Sequence, residues 1–250
     1  MPLVKAFLAI VIAIVIFPFS VTAQSDPDTL LQRVSDDIVA RSVAADGVRF
    51  SYNMDTSVAG SKEYTVSLAY QPLADRATQW QVISPSFAEN EEVYAQAKKQ
   101  IDKDVEHKPD AKDDQALILR EVPGNNAKEL IFISEEDGIA KYAIQLTEGF
   151  MNPDGGDDKG MSKMLKYLKG EIAIDVASEQ LLWFRIFAEK PFKPMAVAKI
   201  KKFDIKLHFA PAWHEGPIVQ VRSESIVSGS ALFQKFNEKS EITFSNFVQK

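Results

Sequence analysis

The residue types best suited to proton transfer or metal ligation near neutral pH are the three histidines, His107, His208 and His214. His107 lies in a charged connection. His208 falls on the polar phase of an alternating run, and His214 sits in the turn-like Trp213-His214-Glu215-Gly216. His208, His214 and Glu215 are ligand types for a divalent metal, but their spacing lacks the fixed helical step of HExxH and no cysteine is available to join them. The loop Asp154-Gly155-Gly156-Asp157-Asp158-Lys159-Gly160 offers oxygen ligands to a hard cation, yet it departs from the EF-hand spacing and has no closing glutamate. Ser228-Gly229-Ser230 does not have the nucleophile-elbow spacing, and no Walker loop or GxGxxG follows a strand. The motifs therefore assign no catalytic residue, metal or cofactor, and give an enzymatic reading no support.

The remaining chemistry is the burial of apolar surface. Trp183, Phe184 and Phe203 lie on strand-like runs and are the expected lining of an apolar cavity, or the core beneath it. Adjacent strand residues point to opposite faces, so Trp183 and Phe184 cannot line the same cavity. Met161, Met164, Leu165 and Leu168 form a short apolar helical face suited to an adaptable lid.

The elements that would position these residues follow from periodicity. Leu30, Leu31, Val34 and Ile38 predict a helix that Asp28 could cap and that ends at Ala44-Ala45-Asp46-Gly47. Val48 to Met54 and Tyr64 to Tyr70 alternate at period two around a turn-like Ser57–Lys62, predicting a hairpin. A short strand around Trp80 and Val82 stops at Pro85. Val93, Ala97 and Ile101 predict a helix over Glu89–Glu106, with acids early and lysines late. Strands are expected at Ala116–Glu121, Glu129–Ser134, Ala140–Thr147, Glu171–Val176, Leu181–Phe187, Ala196–Phe209, Ile218–Ser225, Ala231–Asn237 and Glu241–Val248, with Gly170 ending the Met161–Leu168 helix. Without a long strand–helix alternation a parallel α/β sheet is disfavoured. The expectation is a mainly β, α+β fold: one strongly curved antiparallel sheet with an N-terminal helix and helices over its concave face.

Residues 1–23 read as a secretory signal. Lys5 precedes a 14-residue apolar run, Ala6–Phe19, and Val21-Thr22-Ala23 supplies a small-residue cleavage site. The run is shorter than the roughly 18–20 residues needed to cross a bilayer core. Residues 24–250 are expected to form a single exported domain, periplasmic or secreted. The 250-residue chain has no cysteine, which excludes disulfide frameworks, cysteine nucleophiles and a lipid-modified cysteine anchor. Its net charge of −6 argues against general nucleic-acid binding. That charge is unevenly placed: residues 24–160 hold 14 Lys/Arg against 26 Asp/Glu, whereas residues 161–250 hold 14 against 9. Lys190, Lys193, Lys199, Lys201, Lys202 and Lys206 make a local basic cluster, suited to protecting a sheet edge or to meeting anionic groups.

The segment Leu168-Lys169-Gly170-Glu171-Ile172-Ala173-Ile174-Asp175, followed by Leu181-Leu182-Trp183-Phe184-Arg185, is similar to a strand–turn–strand segment of the LolA/LolB-like half-barrel superfamily of envelope proteins. Gly216-Pro217-Ile218 and Ser228-Gly229-Ser230-Ala231-Leu232-Phe233 fit the strands that follow there, so the resemblance covers roughly residues 165–248. It implies a half-barrel that binds acyl chains or lipidated protein, with Arg185 as the strand arginine of the local motif. The resulting expectation is a soluble carrier of a hydrophobic or amphipathic ligand, with a lipid, a lipidated protein or another envelope protein as partner. A non-catalytic interaction module with a filled interior is the second reading, and a hydrolase with dispersed catalytic groups the third.

Overall fold

The computed structural model describes residues 26–61, 63–107, 117–123, 130–146, 164–195, 197–232 and 234–250. Residues 1–23, expected to be a secretory signal, the acid–glycine loop, Met161 and Phe233 lie outside the described residues.

The first helix, α1 (Pro27–Ala44), starts two residues earlier than a cap at Asp28 would place it. Asp26, not Asp28, is its N-cap: the Asp26 carboxylate accepts from the Thr29 backbone N–H at 3.2 Å and from the Thr29 hydroxyl at 2.8 Å. Pro27 fits the first helical position because its missing N–H would have no partner there. Leu30, Val34 and Ile38 repeat every four residues and are all buried.

Eleven strands form one antiparallel sheet that does not close. They are β1 (Phe50–Gly60), β2 (Tyr64–Tyr70), β3 (Trp80–Ser84), β4 (Leu130–Glu136), β5 (Ile139–Ile144), β6 (Lys169–Asp175), β7 (Gln180–Phe187), β8 (Phe192–Met195), β9 (Ala198–Pro211), β10 (Ile218–Ala231) and β11 (Gln234–Gln249). The spatial order is β3-β2-β1-β11-β10-β9-β7-β6-β5-β4, with β8 paired to β9 beside that path. Hairpins build most of the order. The exception is the connection from β3 to β4, which carries the chain from one edge of the sheet to the other. That connection contains the second helix, α2 (Glu91–His107).

Cross-strand pairing runs without interruption through Val66, Thr56, Ile242, Ser223, Leu207, Phe184, Ile172, Tyr142 and Phe132. Directly paired residues share a face. At one end of this row, α1 packs its Leu30, Val34 and Ile38 with Tyr142, Ile172, Ile174, Leu181 and Phe184. At the other end, Ile101 of α2 packs with Val66 and Leu68. Both helices therefore lie on the same face of the sheet. Between them sits an aromatic cluster of Phe50, Tyr52, Tyr70, Trp80, Trp213, Phe244 and Phe247, with ring centroids 4.9 to 6.0 Å apart. The Tyr142 hydroxyl donates to the Pro27 carbonyl at 2.7 Å, tying α1 to β5. Burial, followed by the charges of Asp28, Glu135 and Asp26, pushes the Tyr142 phenol up to about 12.

Several expectations are corrected. Residues 117–123 form a single bridge, Ile118 to Val219, instead of a strand, because their only sheet neighbour is the short start of β10. The turn-like Ser57–Gly60 is the end of β1: each residue has a partner on β11, from Ser57 opposite Glu241 to Gly60 opposite Glu238. The expected strands at Ile218–Ser225, Ala231–Asn237 and Glu241–Val248 are two long strands, β10 and β11. Small residues read as breaks, such as Ser228-Gly229-Ser230, are instead paired on both sides. Gly170 does not stop a helix; it lies in β6, where an added Cβ would meet the Leu146 side chain at 2.9 Å. Leu168 is buried and Tyr167 stacks on Phe192 at 4.7 Å between centroids.

Candidate functional site

On the helix-bearing face, α2 packs against β2 and β3, and β1 borders the space beside it. A groove of about 370 Å³ remains between helix and sheet. Its floor is Met54, Thr56, Val66 and Leu68, which β-pairing places side by side: Met54 opposite Leu68 and Thr56 opposite Val66. Its roof is Val93, Ala97 and Ile101, the four-residue repeat of α2. Tyr64, Gln96 and Gln100 complete it. Every polar group in this lining is neutral. The gap exists because Ala97, in the middle of the helical stripe, has too short a side chain to fill the space above the pleat, whereas Ile101 reaches down and is buried with Val66 and Leu68.

The helix itself is held at its start by reciprocal caps. The Asn90 side chain accepts from the Val93 N–H at 3.1 Å, and Glu89 accepts from the Ser86 N–H at 2.7 Å. Those bonds hold the Glu89 carboxyl below its ordinary pKa. The outward side of α2 carries an exposed pair, Phe87 edge-on to Tyr94 at 5.9 Å, next to Lys98 and Lys99.

The opposite face of the sheet holds a more polar depression of about 250 Å³, lined by Trp183, Arg185, Asp204, Lys206, Glu224 and Ile226. Its charges are engaged with one another. Arg185 donates to both oxygens of Asp204, Lys206 lies 4.5 Å from the Trp183 ring centre, and Arg222 pairs with Glu224 at 2.7 Å and Glu241 at 3.1 Å. His208 is opposite both Trp183 and Arg222. Burial, and then the Lys206 charge, lower its pKa, and Glu224 at 3.9 Å only partly opposes them. Not every polar group here is satisfied: His208 Nε2 and Arg222 Nε are buried without a hydrogen-bond partner. Among the described residues no group of three His, Asp or Glu side chains is placed to hold a metal ion.

The residues singled out from sequence are thus distributed. Phe184 is buried beneath α1. Trp183 points to the opposite face, under Lys206. Phe203 shares the helix-bearing face with Ile205 and Leu207 through its pairing with Val227. Met164 and Leu165 are helical, and Leu168 follows the turn that leads from them into β6. None of these residues lines the groove under α2. Its lining comes from three segments whose periodicities are each legible in the sequence. What the sequence does not state is that α2 packs on β2 and β3 beside β1, because no local signal reports which strands a crossing helix covers.

Comparisons with protein-family models, with curated proteins and with solved structures return no match for this chain. Among the described residues no helix is long and apolar enough to cross a membrane.

Proposed function

We propose that this chain is an exported binding protein that holds a hydrophobic or amphipathic ligand, such as an acyl chain, in the groove between α2 and β1–β2. In this reading the sheet curves as a half-barrel, with both helices over its concave face. The observation that carries the reading is the groove itself: about 370 Å³, apolar on floor and roof, with only neutral polar groups around it. That volume falls in the range of small-molecule sites. A charged wall would penalise an alkyl chain, whereas this lining replaces water at about 0.8 kcal/mol per buried methylene. Thr56, Tyr64, Gln96 and Gln100 can hydrogen-bond a neutral or ester-like head without an ion pair.

The test is native mass spectrometry and lipid extraction of the protein purified from its own envelope, with titration of a fluorescent acyl probe. Co-purified lipid, and probe binding that competes with it, is the expected result. Absence of both would overturn the assignment and favour an interaction module with a filled interior.

A further inference from the structure

Where β8 and β10 pair with the start of β9, the strand ends form an exposed tip. Met195, Val197 and Leu232 meet there and are 53%, 55% and 68% exposed. They belong together: Met195 pairs with Ala198, Ala198 pairs with Ala231, and the Leu232 N–H donates to the Val197 carbonyl at 3.0 Å. Leu232 is displayed by the backbone, at φ 46°, in the turn after β10. A large apolar residue in the left-handed region of an exposed turn works against both conformational preference and solvation.

The surroundings are basic. Residues 192–202 and 228–239 contain six lysines, one glutamate and no arginine, within a chain of net charge −6. The pairing brings four of the lysines to the face opposite the helices: Lys199 and Lys235 flank Ser230, Lys202 is opposite Ser228, and Lys239 is opposite Ile226. Among the described residues none of Lys193, Lys199, Lys201, Lys202, Lys235 and Lys239 is in an ion pair, in contrast to the closed network around Arg185 and Arg222 on the same face.

From this combination we infer that the β8–β9–β10 tip docks on an anionic lipid surface, inserting Leu232, Val197 and Met195 while the lysines meet the head groups. The composition favours a bilayer over an acidic protein. The cations are all lysine, which protein interfaces deplete, whereas arginine is what bidentate recognition of carboxylates selects. A diffuse layer of head-group charge attracts ammonium groups without such geometry. The inference uses neither the groove nor its ligand.

The experiment is co-sedimentation of the purified protein with vesicles of pure phosphatidylcholine and of phosphatidylcholine containing 30 mol% phosphatidylglycerol. Binding to the anionic vesicles at least tenfold tighter than to the neutral ones, and lost in 0.5 M NaCl, is expected. Lys199→Gln and Lys235→Gln should each weaken it about fivefold. Leu232→Asn, which suits the left-handed backbone, should weaken it about tenfold with an unchanged melting curve. As a second readout, Leu232→Cys provides a unique thiol in a chain without cysteine. A polarity-sensitive fluorophore attached there should shift to the blue on anionic vesicles. Equal affinity for both vesicles, indifference to the three substitutions, or an unshifted fluorophore would overturn the proposal. So would binding to polyglutamate without binding to vesicles, which would assign the tip to an acidic protein.

Discussion

Arg185 and Asp204 face each other across β7 and β9 in a two-point clasp, Nε to Oδ1 at 2.8 Å and a terminal nitrogen to Oδ2 at 2.7 Å. The guanidinium also lies over the Phe187 ring, 4.3 Å from its centre. Donation by Arg185 holds the Asp204 carboxyl below the usual carboxylate range, and the Asp204 carboxylate in turn raises Arg185. The pair is about one third and one fifth exposed, so solvent screens part of its attraction.

Arg185→Lys should therefore cost about 1 kcal/mol, because lysine retains the charge but neither the fork nor the stacked plane. The folded-state pKa of Asp204 is below its unfolded value, so its contribution is complete above the unfolded pKa of about 3.9 and is lost as pH falls through the lower folded value. Chemical denaturation at pH 7 and pH 3 measures both effects. Arg185→Lys should separate from wild type at pH 7 and converge with it in acid. A penalty that persists undiminished in acid would show that packing on Phe187, not the ion pair, is responsible.

His208 should make the fold acid-sensitive in a higher window. Its folded pKa is lowered by burial and by Lys206, so the imidazole contributes fully above its unfolded value of about 6.5 and loses that contribution as pH falls through the folded value. Lys206, two residues along β9, and Arg222, directly opposite on β10, oppose protonation, and Glu224 favours it. Urea unfolding between pH 8 and pH 5 should show stability declining towards pH 5, with the decline reduced in His208→Gln. Identical pH profiles for the two proteins would remove His208 from the account.

Filling the groove should separate binding from stability. Ala97→Phe places a ring into the space under α2, bounded by Met54, Val66 and Leu68. Acyl-probe affinity should fall at least about tenfold while the melting temperature holds or rises, since the ring replaces empty volume instead of packed atoms. A destabilised variant with unchanged probe affinity would place the ligand elsewhere.

Gly60 is required by its backbone. Its φ is 137°, and an added Cβ would lie 1.9 Å from the Asn237 carbonyl oxygen where β1 closes on β11. Gly60→Ala should cost more than about 2 kcal/mol, by combined strain and clash. Gly138→Ala is a useful contrast: its φ is 75°, but nothing lies within 4 Å of the added carbon. The cost at Gly138 should be smaller, about 1 kcal/mol, and thermal unfolding of the two variants checks the order.

Local chemistry alone was sufficient for some of this. The four-residue repeats of α1 and α2, the alternation in β2 and β9, and the Asp137-Gly138 turn between β4 and β5 each follow from a short stretch of chain, because side-chain period and turn conformation are local properties. The exclusion of cysteine chemistry, the divided charge and the basic cluster needed only the sequence. Tertiary structure decided where strands end and what lies over them. Ser57–Gly60 and Ser225–Ser230 read locally as breaks, yet they stay extended because neighbouring strands pair with them, β11 along all of Ser57–Gly60 and both β9 and β11 along Ser225–Ser230. That Trp183 and Phe184 part to opposite faces is legible from strand alternation, but that one meets an ion-pair network and the other the α1 core is decided by the fold. The groove exists only because a helix from the β3–β4 crossing packs on β2 and β3 beside β1, and the apolar tip only because Met195, Val197 and Leu232 are brought together by pairing between strands. Such placements depend on non-local contacts, and no window of sequence contains both sides of them.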